Sequence, residues 1–286
     1  MIKILILGGH GMLGHVVNDK LSQNDDFDVH YSVREAIEPL ANQHVLDVTD
    51  IPSLEKLIML LKPSIIINCI GILVSDSHRY PDKAIFINAY LPHLLGNLAD
   101  SIDAKFIHIS TDCVFSGEKG GYTENDVKDA RDIYGQTKGL GEVIRTPHLS
   151  IRTSIIGPEL KANGTGLFHW FMQQQHEVVG FEKAIWSGVT TFELSKAIEW
   201  AIKKNIKGLY HITNNLPINK FQLLTLFKKH MDKLIDIRLE PGKQVNKSFI
   251  DTRNEINYPL PSYQEMIKEM SLYMARNKER YSQYFS

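Results

Sequence analysis

With 286 residues, 43% of them hydrophobic and 23% charged, the chain has ordinary globular composition and enough length for one large or two modest domains. A formal net charge of −1 excludes bulk electrostatic attraction to nucleic acid or an anionic membrane. No apolar run approaches the roughly 18 residues of a membrane span, so a soluble, cytoplasmic protein is expected.

The opening MIKILILGG reads as a buried strand and not as a signal peptide. A helix follows in MLGHVVNDKLSQN, then a strand in FDVHYSV and a short one in HVLDVTD. IPSLEKLIMLLK has helical spacing with proline at its start, and SIIINCIG is a continuous apolar strand. AIFINAYLPHLLGNLADSI is helical despite Pro92, KFIHISTDCVF is a fifth strand, about 133 to 146 a helix, and LSIRTSII a sixth strand. Strands without alternation, separated by helices, predict a doubly wound α/β domain of Rossmann type, with ligands at the carboxyl ends of a parallel sheet. After residue 156 the texture changes to a Gly/Pro/Asn loop, an aromatic run (LFHWFMQQQ), the amphipathic helix TTFELSKAIEWAIKK, the strand GLYHIT and two further helices. The expected division is 1–156 plus about 186–205 for a nucleotide-binding domain, with 157–185 and 206–286 as a smaller mixed domain over the substrate.

GGHGMLG places Gly8, Gly11 and Gly14 directly after a strand and at the start of a helix. Bare glycines there allow a tight turn and let a pyrophosphate reach backbone amides at a helix N-terminus. The second strand closes without an acidic residue to hold a ribose 2′-hydroxyl, and Arg34 stands just beyond, where it could pair with a 2′-phosphate. NADPH is therefore favoured over NADH, although a plain surface arginine would look the same. Asp47 and its neighbour Val48, after the third strand, are placed for the adenine. Cys69 and Cys113 lie in apolar runs with no metal-ligand spacing and read as reduced core thiols. The spacing of His10 and His15 without further ligands argues against a metal.

The stretch RDIYGQTKGLGE puts Tyr134 and Lys138 four residues apart on one helix face, and HISTDCVF ends a strand upstream with Ser110, Thr111 and Asp112. A hydroxyl, a phenol and an amine converging there suit reduction of a ketone. Thr111 would hydrogen-bond the carbonyl oxygen, Tyr134 would donate the proton, and Lys138 would hold the nicotinamide ribose and lower the tyrosine pKa from about 10.

These motifs, with NCIG, FINA, YTENDVKDARDIYGQTKGLGE and IRTSIIG, resemble the extended short-chain dehydrogenase/reductase family, in its dTDP-4-dehydrorhamnose reductase branch, over nearly the whole chain. The resemblance implies NAD(P)H-dependent reduction of a nucleoside-diphosphate 4-keto-6-deoxy sugar, as used in bacterial surface polysaccharides. Thr111, Tyr134 and Lys138 fall on its catalytic positions. Gly8, His10, Gly11, Met12, Leu13, Cys69, Ile70 and Gly71 match its cofactor-contacting stretches. Cys113 stands where the branch has a tyrosine, Ile155 where it has a tryptophan, and EKAIWSGVTT replaces a DQxGxPT stretch. Losing two aromatic walls beside the sugar favours a different hexose, with an N-acetylated UDP sugar preferred and dTDP-4-dehydrorhamnose retained.

Asp112, Cys113 and Ile155 are then substrate-side candidates. Lys247, Ser248 or Arg253, in GKQVNKSFIDTRN, could meet the diphosphate, or form only an exposed basic loop. Glu124 and Asp126 are expected to fix the active-site loop. A homodimer is compatible with the branch. Two rival roles remain: an NADP-binding regulatory subunit, as in methionine adenosyltransferase, and a sugar-nucleotide epimerase or dehydratase. Cys113 after Asp112 argues against a dehydratase, which would carry a glutamate there.

Overall fold

The computed structural model describes residues 1–36, 40–253, 255–256 and 258–285. Six strands of the first half enter one parallel sheet: β1 (Ile2–Leu7), β2 (Phe27–Val33), β3 (Gln43–Val45), β4 (Ile65–Asn68), β5 (Lys105–Ile109) and β6 (Leu149–Arg152). A seventh, Gly208–His211, pairs in parallel with β6 at the edge. The order is 208–211, β6, β5, β4, β1, β2, β3. Because it reverses between β4 and β1, the crevice outside those strand ends is the place for a ligand.

The unbroken apolar runs serve a sheet covered on both faces. Ile4, Ile6, Ile65, Ile67, Ile107 and Ile109 pack into one cluster, while Leu5, Leu7, Ile66 and Phe106 pack into the other. The parallel register aligns Leu7 with Asn68 and Asn68 with His108, so these strands finish together. This is the doubly wound Rossmann-type fold expected from the sequence.

Three local expectations are corrected. The run LSIRTSII is not one strand. After Arg152 the chain leaves the sheet, and Ile155–Ile156 pairs instead with Val189–Thr190. The helix expected to about 146 is Ile133–Leu140. Its C-cap, Gly141, packs so closely on the Asn88 carbonyl that a Cβ there would come within 1.9 Å of the oxygen. That carbonyl is available for close packing because Pro92, four residues on, has no N–H to offer it. The preceding turns, Ile85–Tyr90, widen into a π-helix before Leu91–Asp100 resumes. Finally, Gly208–His211 belongs to the large sheet and not with the remainder of 206–286.

The other elements after residue 156 form a cap. Its helices are Leu167–Gln173, Lys220–His230 and Tyr263–Arg276. Glu177–Phe181 pairs with Asp236–Glu240, and Ala184–Trp186 lies between Ile218–Asn219 and Val245–Asn246. The helix Thr191–Lys203 returns to pack on the helix Gly14–Leu21. Among the described residues no helix is long and apolar enough to cross a membrane.

Candidate active site

β1 runs into a turn that only glycine makes without strain: Gly8 has φ +88°, and the Gly11 amide donates to the Gly8 carbonyl at 2.9 Å. A Cβ on Gly14 would fall 2.1 Å from that same carbonyl, so the loop lies directly on the first turn of the following helix. The cradle suits a phosphate group: no side chain fills it, and a helix N-terminus faces it. His15 braces it from behind. Nδ1 lies 2.7 Å from the Gly11 carbonyl oxygen, and Nε2 lies 2.7 Å from the Tyr281 hydroxyl at the far end of the chain. Burial pulls the pKa of His15 down to about 4, so the imidazole is neutral: Nδ1–H donates to Gly11 and Nε2 accepts from Tyr281.

Around the cradle, the half-buried Met12 is met by the cap, since a Cβ on Gly166 would sit 3.3 Å from its sulfur. His10 is held below its usual pKa by burial, then by the charges of Arg280 and Lys161. Leu13 and Val48 are core residues, in separate clusters, whose side chains point away from solvent. Arg34 and Asp47 are both exposed. The Asp47 carboxylate accepts from the Thr49 amide at 2.9 Å and from its hydroxyl at 2.8 Å. Those bonds, with Arg34 nearby, keep it below the ordinary carboxylate range. Cys69, Ile70 and Gly71 follow β4, and burial pushes the Cys69 thiol up to about 12.

At the end of β5 the chain stays extended through Thr111 and then turns in a 3-10 segment, Asp112–Val114. The Thr111 hydroxyl oxygen accepts from the Cys113 amide at 3.1 Å and donates to Asp112 Oδ1 at 3.1 Å. Across from it stands the helix Ile133–Leu140, capped by Asp132, whose carboxylate accepts from the Gly135 amide at 2.9 Å. A side chain at Gly135 would strike the Cys113 carbonyl at 2.1 Å, so this helix is pressed against the strand end. The approach brings the Tyr134 phenol to Thr111, Cys113 and Asp112. Its pKa is raised, by burial first and then by Cys113, with Asp112 and Asp132 adding to the effect and Thr111 opposing it.

Lys138 is 4% exposed. Its ammonium nitrogen turns to β5 and donates to the Ile109 carbonyl at 2.6 Å. Burial brings its own pKa down to about 8 against the pull of Glu142 and Cys69. Behind it, Glu142 binds Arg152 through two bonds of 2.6 and 2.8 Å, and also accepts from Ser110 and Lys128. The structure thus joins Thr111 to Tyr134 and ties Lys138 to the end of β5.

A further group of residues lies where the cap meets the end of β5. Asp112 is buried and its pKa is raised by that burial, in opposition to Lys247 and Lys220. Cys113 is pushed up to about 12 by burial and by Asp112. Ile155 is half-buried beside Ser154, whose hydroxyl accepts from the Trp186 indole at 2.7 Å. Lys220, at the start of its helix, lies over the Trp186 ring at 5.4 Å from the centroid. Sequence reading missed this lysine, since nothing in NKFQLL distinguishes it from a solvated helix residue. Arg253 is committed elsewhere, donating to the carbonyls of Lys207 (2.6 Å) and Leu209 (2.9 Å) and to Glu255. Ser248 is buried, its hydroxyl bound to Asn246. Asn254, which closes the stretch proposed for the diphosphate, lies outside the described residues. Glu124 ties the edge strand to the cap, accepting from the His211 amide (3.2 Å) and from both donors of Thr252. Asp126 accepts from Thr123 and Lys119.

The RmlD substrate binding domain family matches residues 2–246. The chain belongs to this family. Among curated proteins it is 30% identical over 243 residues to methionine adenosyltransferase 2 subunit beta of Bos taurus, covering 77% of this chain and 70% of that one. It is 28% identical over 222 residues to the spore coat polysaccharide biosynthesis protein SpsK of Bacillus subtilis (75% and 74% covered). Among solved structures, dTDP-4-dehydrorhamnose reductase from Bacillus anthracis str. Ames, in complex with NADP, superposes with a TM-score of 0.83 at 21% identity, covering 96% and 99% of the two chains. UDP-glucose 4-epimerase from Thermotoga maritima, with UDP-glucose, reaches 0.77 at 19%, covering 96% and 99%. At such identities these likenesses establish the fold alone, which reductases and epimerases share.

Proposed function

We propose that this RmlD-family chain is an NADPH-dependent reductase acting on the 4-keto group of a nucleoside-diphosphate 4-keto-6-deoxy sugar. The observation that carries this is the convergence of the Thr111 hydroxyl and the Tyr134 phenol at the end of β5, in the same sheet whose β1 runs into the glycine cradle. Thr111 offers a hydroxyl to the carbonyl oxygen, and Tyr134 gives that oxygen its proton. The raised pKa of the phenol keeps this proton in place until the substrate draws it. Bound NADPH supplies the hydride to the carbonyl carbon. The amides of the glycine loop would hold its pyrophosphate, Arg34 a 2′-phosphate, the Cys69–Gly71 segment the nicotinamide side, and Lys138 the ribose hydroxyls. Lys220 and Lys247 would receive the sugar nucleotide, and Cys113 and Ile155 leave room beside the ring. That room favours an N-acetylated UDP sugar over dTDP-4-dehydrorhamnose.

The test is NADPH oxidation by purified protein with a panel of 4-keto-6-deoxy sugar nucleotides, including dTDP-4-dehydrorhamnose and UDP-linked N-acetylated ones. Turnover of any of them upholds the reductase. A second reading, an NADP-binding regulatory subunit, is favoured by the similarity to methionine adenosyltransferase 2 subunit beta. Tight NADPH binding with no turnover across the panel would replace the first reading by this one.

A further inference from the structure

Behind Lys138 a run of hydrogen bonds determines where one proton sits. The side-chain oxygen of Asn68, at the end of β4, accepts from the Ile70 amide at 3.0 Å. This fixes the orientation of the amide, so its nitrogen is the atom that faces His108, 3.3 Å from Nδ1. An amide nitrogen only donates. Nδ1 must therefore accept, and the neutral imidazole carries its proton on Nε2. Nε2 lies 3.4 Å from Lys138 Nζ.

An ammonium has no lone pair to receive that proton, so a charged Lys138 would set donor against donor in a pocket where His108 is fully buried. An uncharged amine resolves the conflict: its lone pair accepts from Nε2–H while one of its own hydrogens serves the Ile109 carbonyl. Moving the imidazole proton to Nδ1, or turning the amide, only moves the clash to the Asn68–His108 or Asn68–Ile70 contact.

We propose that Asn68 and His108 are positioning residues that bias Lys138 toward its uncharged form in the cofactor-free protein, a bias that ligand oxygens reaching it would reverse. The assignment of a ligand-binding role to Lys138 rests on the reductase reading; the proton arrangement does not. The surrounding groups are accounted for from each element. From the lysine's own helix come Tyr134, which keeps its proton, and beyond it Glu142, whose carboxylate is shared among Arg152, Lys128 and Ser110. After β4 comes Cys69, protonated at neutral pH. From the π-helical turn comes Asn88, an amide already bound to Ile72 and Thr137. Outside these, His93 acts on His108 in the direction that keeps the ring neutral. Burial of the lysine works the same way as the imidazole donor.

The experiment is NMR of the full chain without cofactor or substrate, labelled with ¹⁵N in histidine and ¹³C at lysine Cε. Lys138→Met and His108→Phe assign the signals. In the wild type, His108 should carry its proton on Nε2 with Nδ1 bare, and Lys138 should titrate at or below about pH 8. His108→Phe removes the donor and should raise the lysine midpoint, by roughly a pH unit, a tenfold change in its ionisation constant. The opposite tautomer, with Nε2 accepting from an ammonium, makes the same substitution lower the midpoint. An Nδ1–H tautomer in the wild type, or a midpoint that falls or stays put in His108→Phe, overturns the proposal. If that variant fails to fold, the wild-type ¹⁵N shifts decide alone. Neither measurement involves turnover, so failure of the reductase reading and failure of this one are read separately.

Discussion

The two walls of the crevice are built on different principles. On the side proposed for the cofactor, Asn68, His108, Ile109 and Arg152 are anchored by sheet register, sitting at aligned strand ends with bonded partners. On the side proposed for the sugar, Asp112 and Cys113 come from one loop, while Lys220 and Lys247 reach in from separate cap elements. The first wall is rigid and suited to a ligand that never changes. The second can be rebuilt by altering a few loop residues without disturbing the sheet, which is how one fold comes to serve many sugars.

The contrast can be broken most sharply at the residue that belongs to both walls. Tyr134→Phe should cut turnover about 10²-fold or more and leave NADPH affinity, read by nucleotide fluorescence, unchanged. Retained turnover would remove the phenol as proton donor. Glu142→Gln tests the rigidity of the cofactor wall. It strips the buried Arg152 of its paired charge and should cost on the order of 3 kcal/mol in denaturant unfolding. A loss below about 1 kcal/mol would show the ion pair to be dispensable. Lys220→Met tests the looser wall, with KM for the sugar nucleotide expected to rise roughly tenfold and NADPH affinity unmoved. Smallest is Arg34→Ala at the exposed rim, which should reduce the preference for NADPH over NADH by several-fold. An unaltered cofactor ratio would leave Arg34 a surface residue.

Legibility in the sequence followed the same division. Gly8, Gly11 and Gly14 are local in the chain, as are Tyr134 and Lys138, and their spacing alone conveys their geometry. An apolar run such as IIIN or KFIHI announces a buried parallel strand. It does not say that the polar residue inside it, His108, will face a lysine thirty residues on, because register between strands is a tertiary property. Lys220 was invisible for a similar reason: its neighbour Trp186 is brought to it by antiparallel pairing across the cap. The close packing of Gly141 on the carbonyl of Asn88 is again a contact no window of sequence contains. Arg253 clamps the edge strand through the carbonyls of Lys207 and Leu209, a contact between distant segments that its sequence neighbourhood does not announce.

That clamp, and the edge strand it grips, bear on how the protein is made. β6 is complete once residue 152 has been synthesised, yet its outer hydrogen-bonding edge stays open until Gly208–His211 arrives and Arg253 closes over it. For that interval of translation the emerging chain carries a raw sheet edge, the kind of surface that pairs with a neighbouring copy. A fragment cut after the sixth strand, or a chain stalled between residues 152 and 208, would leave that edge without its partner strand.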